Sequence, residues 1–170
     1  ISFVGYVAFL DPPKKEVKNT LSNLRKIGIS TKILTGDNAY ATKNICSIVG
    51  LKSDNIITGV ELDQLSEEEL SKKIEEVDVF ARLNPLQKER VVNAYKKNGH
   101  VVGYMGDGVN DAPSLHTADV GICVDSATDI AKEASDILLL EKSLKVVYDG
   151  VMEGRKVYGN IIKYMKMALS

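Results

Sequence analysis

Hydrophobic and polar positions form alternating blocks along the chain, with lengths typical of strands and helices in turn. Continuous apolar runs bounded by turn residues predict strands that are buried on both faces. These runs occupy 3–10, 31–34, 56–58, 79–81, 101–105, 120–122 and 137–140. Apolar residues recur at helical spacing between them. The alternation predicts an α/β fold, a Rossmann-like and mostly parallel sheet with helices on both faces.

Capping signals locate several of the helices between these strands. Ser66 and Glu69 have the spacing of a capping box, for a helix that ends near residue 76. Asn84, followed by a proline and then Gln87, begins another helix, which ends at Gly99. The remaining predicted helices run from the prolines at 12 and 13 to 28, from about 38 to 49, from about 110, between the last two strands, and over 144–169.

Composition narrows the class of protein. The chain has 170 residues, of which 44% are hydrophobic, and 22 Lys+Arg against 23 Asp+Glu give a net charge of -1. These proportions are typical of one globular domain, and the near-neutral charge excludes a nucleic-acid binder that works by bulk charge. No run approaches the roughly 18 apolar residues of a membrane span. Cys46 and Cys123 lack Cys-x-x-Cys spacing, which favours a reduced, cytosolic chain.

Charge is nevertheless unevenly distributed. From Lys142 onward there are six basic and two acidic side chains, a net +4, which leaves -5 on the rest of the chain. The long helical pattern over 144–169 falls in this basic part. A basic amphipathic helix is typical of a segment that approaches a membrane surface. An ordinary packed helix explains the pattern equally well, and both interpretations stay open on this evidence.

Candidate chemistry lies directly after the strands, because ligands of parallel sheets bind beyond the carboxyl ends of the strands. The strongest signal is the loop after the strand over 101–105, where Asp107 and Asp111 flank Asn110. Carboxylates are hard oxygen ligands of the kind that Mg2+ prefers. Gly106 and Gly108 allow the backbone to approach a ligand closely. The alternative is a plain turn rich in Gly, Asn and Asp.

Weaker signals follow three other strands. Thr35-Gly36-Asp37 has a hydroxyl and backbone amides that can hold a phosphate. The alternative is that Thr35 or Asp37 only caps the following helix. Lys88 and Arg82 are ordinary surface charges in the simplest interpretation. If the fold brings the other motifs close to them, they are cations that bind a phosphoryl group. Asp11 follows the first strand. The sequence contains neither a P-loop nor a Gly-x-Ser-x-Gly elbow, which excludes those two kinds of site.

Taken in order, five segments resemble the haloacid-dehalogenase superfamily and, within it, the P-type ATPases. The segments are Asp11-Pro12-Pro13-Lys14, 34–38, 81–85 with Lys88, 105–113 and 118–122. Together they cover the chain and are far more specific than any one motif. The stretches 6–14, 137–144 and 153–155 are most similar to the magnesium-importing branch, and less similar to calcium and proton pumps. The ion thus implied is Mg2+, with another cation as the alternative.

The resemblance implies part of the cytoplasmic phosphorylation domain of an ion pump in the plasma membrane, with Mg2+ and ATP as cofactors. Residues 1–143 are expected to be the carboxyl-side part of that domain. Residues 144–170 are expected to lead to the membrane stalk, which settles the interpretation of the basic tail. The implied partners are the rest of the same polypeptide, with its nucleotide-binding domain, nucleophile strand and transmembrane helices, and the transported cation.

The same resemblance assigns roles to individual residues. Asp107 is implied as the main Mg2+ ligand, with Asp111 and Asn110 supporting the metal and the phosphoryl group. Thr35-Gly36 is implied to hold the phosphoryl oxygens, whose charge Lys88 neutralises. The catalytic set is therefore Thr35, Lys88, Asp107 and Asp111.

Three further residues are implied to lie around the nucleotide. Asp37 and Arg82 are expected towards the nucleotide itself. Asp11 is expected at the hinge side of the site.

One departure limits these expectations. The family's nucleophile lies in an Asp-Lys-Thr-Gly-Thr motif, which is absent from this sequence. We therefore expect a chain cut after the nucleotide-binding domain and inactive as an isolated ATPase. Without the nucleophile strand, the strands over 31–34 and 101–105 lose a shared neighbour, which predicts exposed edges, a distorted sheet or self-association. The other hypotheses are a soluble phosphatase, which needs an Asp-x-Asp on its first strand, and a non-enzymatic binding module.

Overall fold

The computed structural model describes residues 16–169, so the predicted strand over 3–10 and the candidate Asp11 lie outside the described residues. In chain order the elements are α1 (Glu16–Lys26), β1 (Ile33–Leu34), α2 (Ala39–Val49), β2 (Ile56–Thr58), α3 (Gly59–Asp63), α4 (Glu67–Glu76), β3 (Val79–Ala81), α5 (Pro85–Lys97), β4 (Gly103–Met105), α6 (Ala112–Thr117), β5 (Val120–Val124), α7 (Asp129–Glu133), β6 (Ile137–Leu139) and α8 (Leu144–Ala168). A 3-10 turn over Val109–Asp111 precedes α6. The predicted alternation of strands and helices is confirmed.

The strands form two sheets of three, in the orders β1-β3-β2 and β4-β5-β6, and every pairing is parallel. The predicted α/β class with parallel strands is therefore confirmed, and in the described residues these strands divide into two sheets. Within these residues β1 and β4 each have one strand partner. Met105 on β4 is 42% exposed.

Each sheet has its own hydrophobic cluster. The first surrounds β3, with Leu62, Leu70, Ile74 and Phe80 fully buried. The second packs between β5 and its helices and includes Tyr104, Leu115 and Cys123. Partly buried Leu34 on β1 and Val102 just before β4 pack against both clusters, so these two clusters are joined at the outer strands β1 and β4.

Local capping explains most helix boundaries. The predicted capping boxes at Ser66 and Asn84 are both formed, because each N3 side chain accepts from the backbone amide of the cap residue. Gly50 ends α2 with φ at 77°, a left-handed conformation that glycine adopts without strain. The short helix α3 was not predicted. It begins at a capping box between Thr58 and Glu61, a signal that overlaps the end of β2.

Helix α8 has 25 residues, none of them buried. Its first turns pack on the second cluster through Val146 and Val147. Two contacts join it to α1, since Arg155 Nη1 donates to the Ile27 carbonyl at 2.8 Å and Ser143 Oγ to Glu16 Oε1 at 2.8 Å. None of the helices in residues 16–169 combines the length and apolarity that crossing a membrane requires.

Candidate functional site

The loops that follow β1 and β3 are joined by backbone hydrogen bonds. The Arg82 amide donates to the Asp37 carbonyl at 2.9 Å, and the Leu83 amide donates to the Thr35 carbonyl at 3.0 Å. Arg82 has φ of 54°, a left-handed conformation that is strained for a non-glycine residue and is common at functional sites. The sequence candidates at 35–37 and Arg82 are therefore brought together at the carboxyl edge of the first sheet.

The alternative of Thr35 or Asp37 as the cap of α2 is wrong. Asn38 is the N-cap, and its side chain accepts from the Ala41 amide at 2.9 Å. Thr35 Oγ1 instead accepts from the Asp37 amide at 3.1 Å, which folds the loop back on itself. Because Gly36 and Asp37 are exposed in this turn, the loop presents its backbone to solvent rather than to the core.

Asp111 is the centre of a partly buried polar cluster. Its Oδ1 accepts from Lys88 Nζ at 2.8 Å and from the Tyr104 hydroxyl at 2.9 Å, while its Oδ2 accepts from the Gly108 amide at 3.4 Å. The Lys88 and Asp111 side chains are only 12% and 14% exposed. Helix α5, capped at Asn84, therefore points Lys88 from the first sheet's side at a carboxylate that follows β4 of the second.

Electrostatics within this cluster favour the ion pair. Burial opposes ionisation of Asp111, but the hydrogen bonds from Lys88 and Tyr104 outweigh it and lower the pKa of the carboxyl below its ordinary value. Burial and the neighbouring Asp111 charge raise the pKa of Tyr104 far above its usual range, so its hydroxyl is a donor at every working pH. The cluster is thus a fixed lysine–carboxylate–tyrosine arrangement.

Gly106 is required by packing. A Cβ at this position would lie 2.5 Å from Asp111 Cβ, which no side chain tolerates. At Gly108 a Cβ would lie 3.6 Å from Asp111 Oδ2, an ordinary contact. The sequence argument gave both glycines the same role, in approach to a ligand. The structure adds a different reason for Gly106, because its missing side chain is what lets Asp111 fold back under the loop.

Asp107 is paired with Lys142 and not with Lys88. Its Oδ2 accepts from Lys142 Nζ at 3.1 Å, and the two side chains are 58% and 68% exposed, Asp107 first. The Asp107 carbonyl accepts from the Thr128 amide at 3.2 Å, which ties the loop to the start of α7. A cavity of about 280 Å³ lies beside this pair, lined among others by Leu139 and Ser143. Asn110 is exposed on the same loop.

The oxygen donors of the 106–111 loop match part of what Mg2+ requires. Mg2+ is usually bound by one or two carboxylates and keeps waters or substrate phosphates as its other ligands. Asp107 is an exposed carboxylate at a sheet edge, and Asp111 Oδ2 has only one long contact, from the Gly108 amide. Within residues 16–169 no group of three His, Cys, Asp or Glu side chains is placed to hold a metal ion. The loop therefore fits a partial Mg2+ site.

Two residues of this region were missed by sequence reasoning. Tyr104 lies in an apolar run, where a tyrosine is expected to be part of the core. Nothing in the neighbouring sequence predicts that its hydroxyl contacts Asp111. Lys142 is separated from Asp107 by 35 positions, and only the parallel arrangement of β4, β5 and β6 brings them together.

Comparison with known proteins defines the family. A sequence model of the haloacid dehalogenase-like hydrolases matches residues 2–119. The chain belongs to this family.

The relatives narrow the resemblance to P-type ATPases, which the motifs indicated. The chain is 52% identical over 170 residues to "Magnesium-transporting ATPase, P-type 1" of Salmonella typhimurium, covering 100% of this chain and 19% of the relative. It is 40% identical over 173 residues to "Calcium-transporting ATPase" of Bacillus subtilis, covering 100% and 19%. It thus spans under a fifth of the length of these relatives.

A solved structure agrees with this resemblance. A zinc-transporting PIB-type ATPase in its E2.Pi state matches with a TM-score of 0.71 and 26% identity, over 90% of this chain and 21% of that one. The chain is therefore similar, in sequence and in fold, to one part of cation-transporting P-type ATPases.

Proposed function

We propose that the chain is the carboxyl-side part of the phosphorylation domain of a P-type ATPase that transports Mg2+. Residues 1–143 belong to that domain, on the cytoplasmic side of the plasma membrane, and residues 144–170 lead to the membrane stalk. The observation that carries the proposal is the partly buried Lys88–Asp111 pair beside the Asp107 loop at the carboxyl edge of the sheets. A fixed cation and an exposed carboxylate at this edge are the parts that phosphoryl transfer requires.

In this proposal the residues of the chain bind and orient the phosphoryl group of ATP. Asp107 is the main Mg2+ ligand, supported by Asp111 and Asn110, and the bound ion would neutralise negative charge on the phosphate. Lys88, held by Asp111 at 2.8 Å, supplies a fixed positive charge to the equatorial oxygens. The Thr35-Gly36 turn donates to the same oxygens.

The nucleotide itself would lie against other residues of the edge. Asp37 and Arg82, whose backbones are hydrogen-bonded, are assigned to the nucleotide side. Asp11, which is outside the described residues, is assigned to the hinge side by the family resemblance alone. The attacking aspartate is supplied by another part of the same polypeptide, because the sequence has no Asp-Lys-Thr-Gly-Thr motif. The chain by itself is therefore expected not to hydrolyse ATP.

The choice of ion is supported by similarity alone. Identity to the magnesium-transporting relative is 52%, against 40% for the calcium-transporting one, over similar lengths. The deciding measurement is ATP-driven uptake of labelled divalent ions by vesicles that contain the intact polypeptide. Uptake of Ca2+ with exclusion of Mg2+ would refute the proposed ion while leaving the class of enzyme untouched.

Phosphorylation by radiolabelled ATP tests the enzyme class. The intact polypeptide is expected to form an acyl phosphate that hydroxylamine cleaves, and Asp107→Asn and Lys88→Met are expected to reduce it at least a hundredfold. The 170-residue chain is expected to form none. ATP turnover by the purified chain that Asp107→Asn abolishes would contradict the proposal that the nucleophile lies elsewhere.

A further inference from the structure

Lys142 contacts Asp107, but neither the motifs nor the proposed mechanism assigns it a role. It follows β6 and directly precedes Ser143, the N-cap of α8. Its Nζ donates to Asp107 Oδ2 at 3.1 Å. Since β4 and β6 both pair with β5, the contact spans the width of the second sheet at its carboxyl edge.

The two lysine–carboxylate pairs at this edge differ in how easily another cation can replace the lysine. In the Lys88–Asp111 pair the side chains are 12% and 14% exposed, and Tyr104 holds the same carboxylate oxygen. In the Lys142–Asp107 pair the side chains are 68% and 58% exposed, so water screens their attraction. A divalent cation can therefore displace Lys142 from Asp107, whereas Lys88 stays in place.

Charge repulsion makes this displacement necessary. Asp107 Oδ2 is the oxygen that Lys142 approaches within hydrogen-bond distance, and a metal ion on that oxygen would lie within a few ångströms of the ammonium group. Two cations so close to one carboxylate repel each other. The adjoining cavity of about 280 Å³, which Lys142 itself lines, gives the side chain space to withdraw without a change in the backbone.

We propose that Lys142 is a tethered cation that competes with Mg2+ for Asp107 and so sets the metal affinity of the site. The proposal rests on the proposed function in one respect, that Asp107 is a metal ligand. Lys142 directly precedes Ser143, which binds both the first turn of α8 and Glu16 of α1.

The experiment is titration of the 170-residue chain with Mg2+ by calorimetry, at about 0.1 M salt. Lys142→Gln is expected to bind Mg2+ about three- to tenfold more tightly, the effect of removing one charge at about 5 Å in a largely aqueous setting. Lys142→Arg keeps the charge and is expected to stay within about twofold of the unmodified chain. The matched control is Lys145→Gln, which removes an equally exposed lysine that pairs with Asp149 on α8.

The outcomes separate this inference from the proposed function. Asp107→Asn is expected to lower affinity at least tenfold, and if it does not, Asp107 is not the metal ligand and both ideas fail. If Asp107→Asn weakens binding but Lys142→Gln leaves it unchanged or weaker, only the competition is refuted. Tighter binding by Lys142→Arg or Lys145→Gln would equally overturn it. Absence of measurable binding by both the unmodified chain and Lys142→Gln would overturn both proposals.

Discussion

Removal of the Lys88 ammonium is the most informative perturbation of the site. Lys88→Met keeps the length and apolar body of the side chain and deletes the charge that lies 2.8 Å from Asp111 Oδ1. The carboxylate then stays in a position where its side chain is only 14% exposed, with Tyr104 as its remaining side-chain donor. The change isolates the ion pair from the packing around it.

The expected loss follows from the burial of the pair. At this separation the gross attraction is about 6 kcal/mol for an effective dielectric constant of about 20. Much of that offsets the cost of taking both charges out of water, but deleting one partner leaves the cost of the other. We expect the free energy of unfolding at pH 7 to fall by about 2–3 kcal/mol. Lys97→Met, which removes a lysine that is 67% exposed, is expected to cost under about 1 kcal/mol.

The pH dependence has a definite sign. In the unmodified chain the pKa of Asp111 is lowered, so its contribution to stability is complete above the unfolded value of about 4 and is lost only as pH falls through the lower folded value. Without Lys88 the main opposing contribution is lost, and burial raises the pKa of Asp111 above its unfolded value. Protonation then stabilises the variant as pH falls from 7 to 5. The stability difference from the unmodified chain is therefore expected to narrow.

Urea unfolding at pH 7 and pH 5, in buffer with a chelator, measures this difference. The double variant Lys88→Met with Asp111→Asn is the control, because it lacks the carboxylate and its deficit is expected not to change with pH. A Lys88→Met chain as stable as the unmodified one, or a deficit that grows on acidification, would refute the assignment of a buried ion pair.

Three further predictions concern unfolding free energies measured by urea denaturation. Tyr104→Phe removes the donor at 2.9 Å from Asp111 and is expected to cost about 1–2 kcal/mol; no loss would show that the hydroxyl is not bonded to the carboxylate in solution. Gly106→Ala is expected to cost at least about 2 kcal/mol and Gly108→Ala under about 1 kcal/mol, and equal losses would contradict the packing argument. Arg82→Gly is expected to leave stability unchanged or raise it by up to about 1 kcal/mol, whereas Arg82→Val is expected to lower it, because φ is 54°.

Elements with local signals could be predicted from the sequence. The helices that begin after Ser66 and Asn84 have cap and N3 residues three positions apart, so one short segment contains the whole signal. Helix α3 has the same signal at Thr58, but there it follows a strand without an intervening loop and was missed. The division into two sheets could not be read from the pattern, because an apolar run does not identify its neighbours.

The sequence predicted the location of the candidate site but not the contacts between its side chains. The rule for carboxyl ends of parallel strands located the loops at 35–37 and 106–111, since it needs only strand positions. It could not predict that Asp107 and Asp111 bind different lysines. That separation arises because Gly106 lets Asp111 turn inward towards Lys88, while Asp107 remains exposed next to β6.

The length of α8 gives the end of the chain a mechanical property. A helix of 25 residues is about 37 Å long, and its contacts with α1 and the second cluster lie in its first half. From Arg155 to residue 169 nearly every side chain is exposed, so about 20 Å of helix extends past its last anchor. A tilt of about 10° at Arg155 moves the far end by about 3 Å. A small change in the angle of α8 at its last contact with α1 is thus converted into a displacement of several ångströms at residue 168.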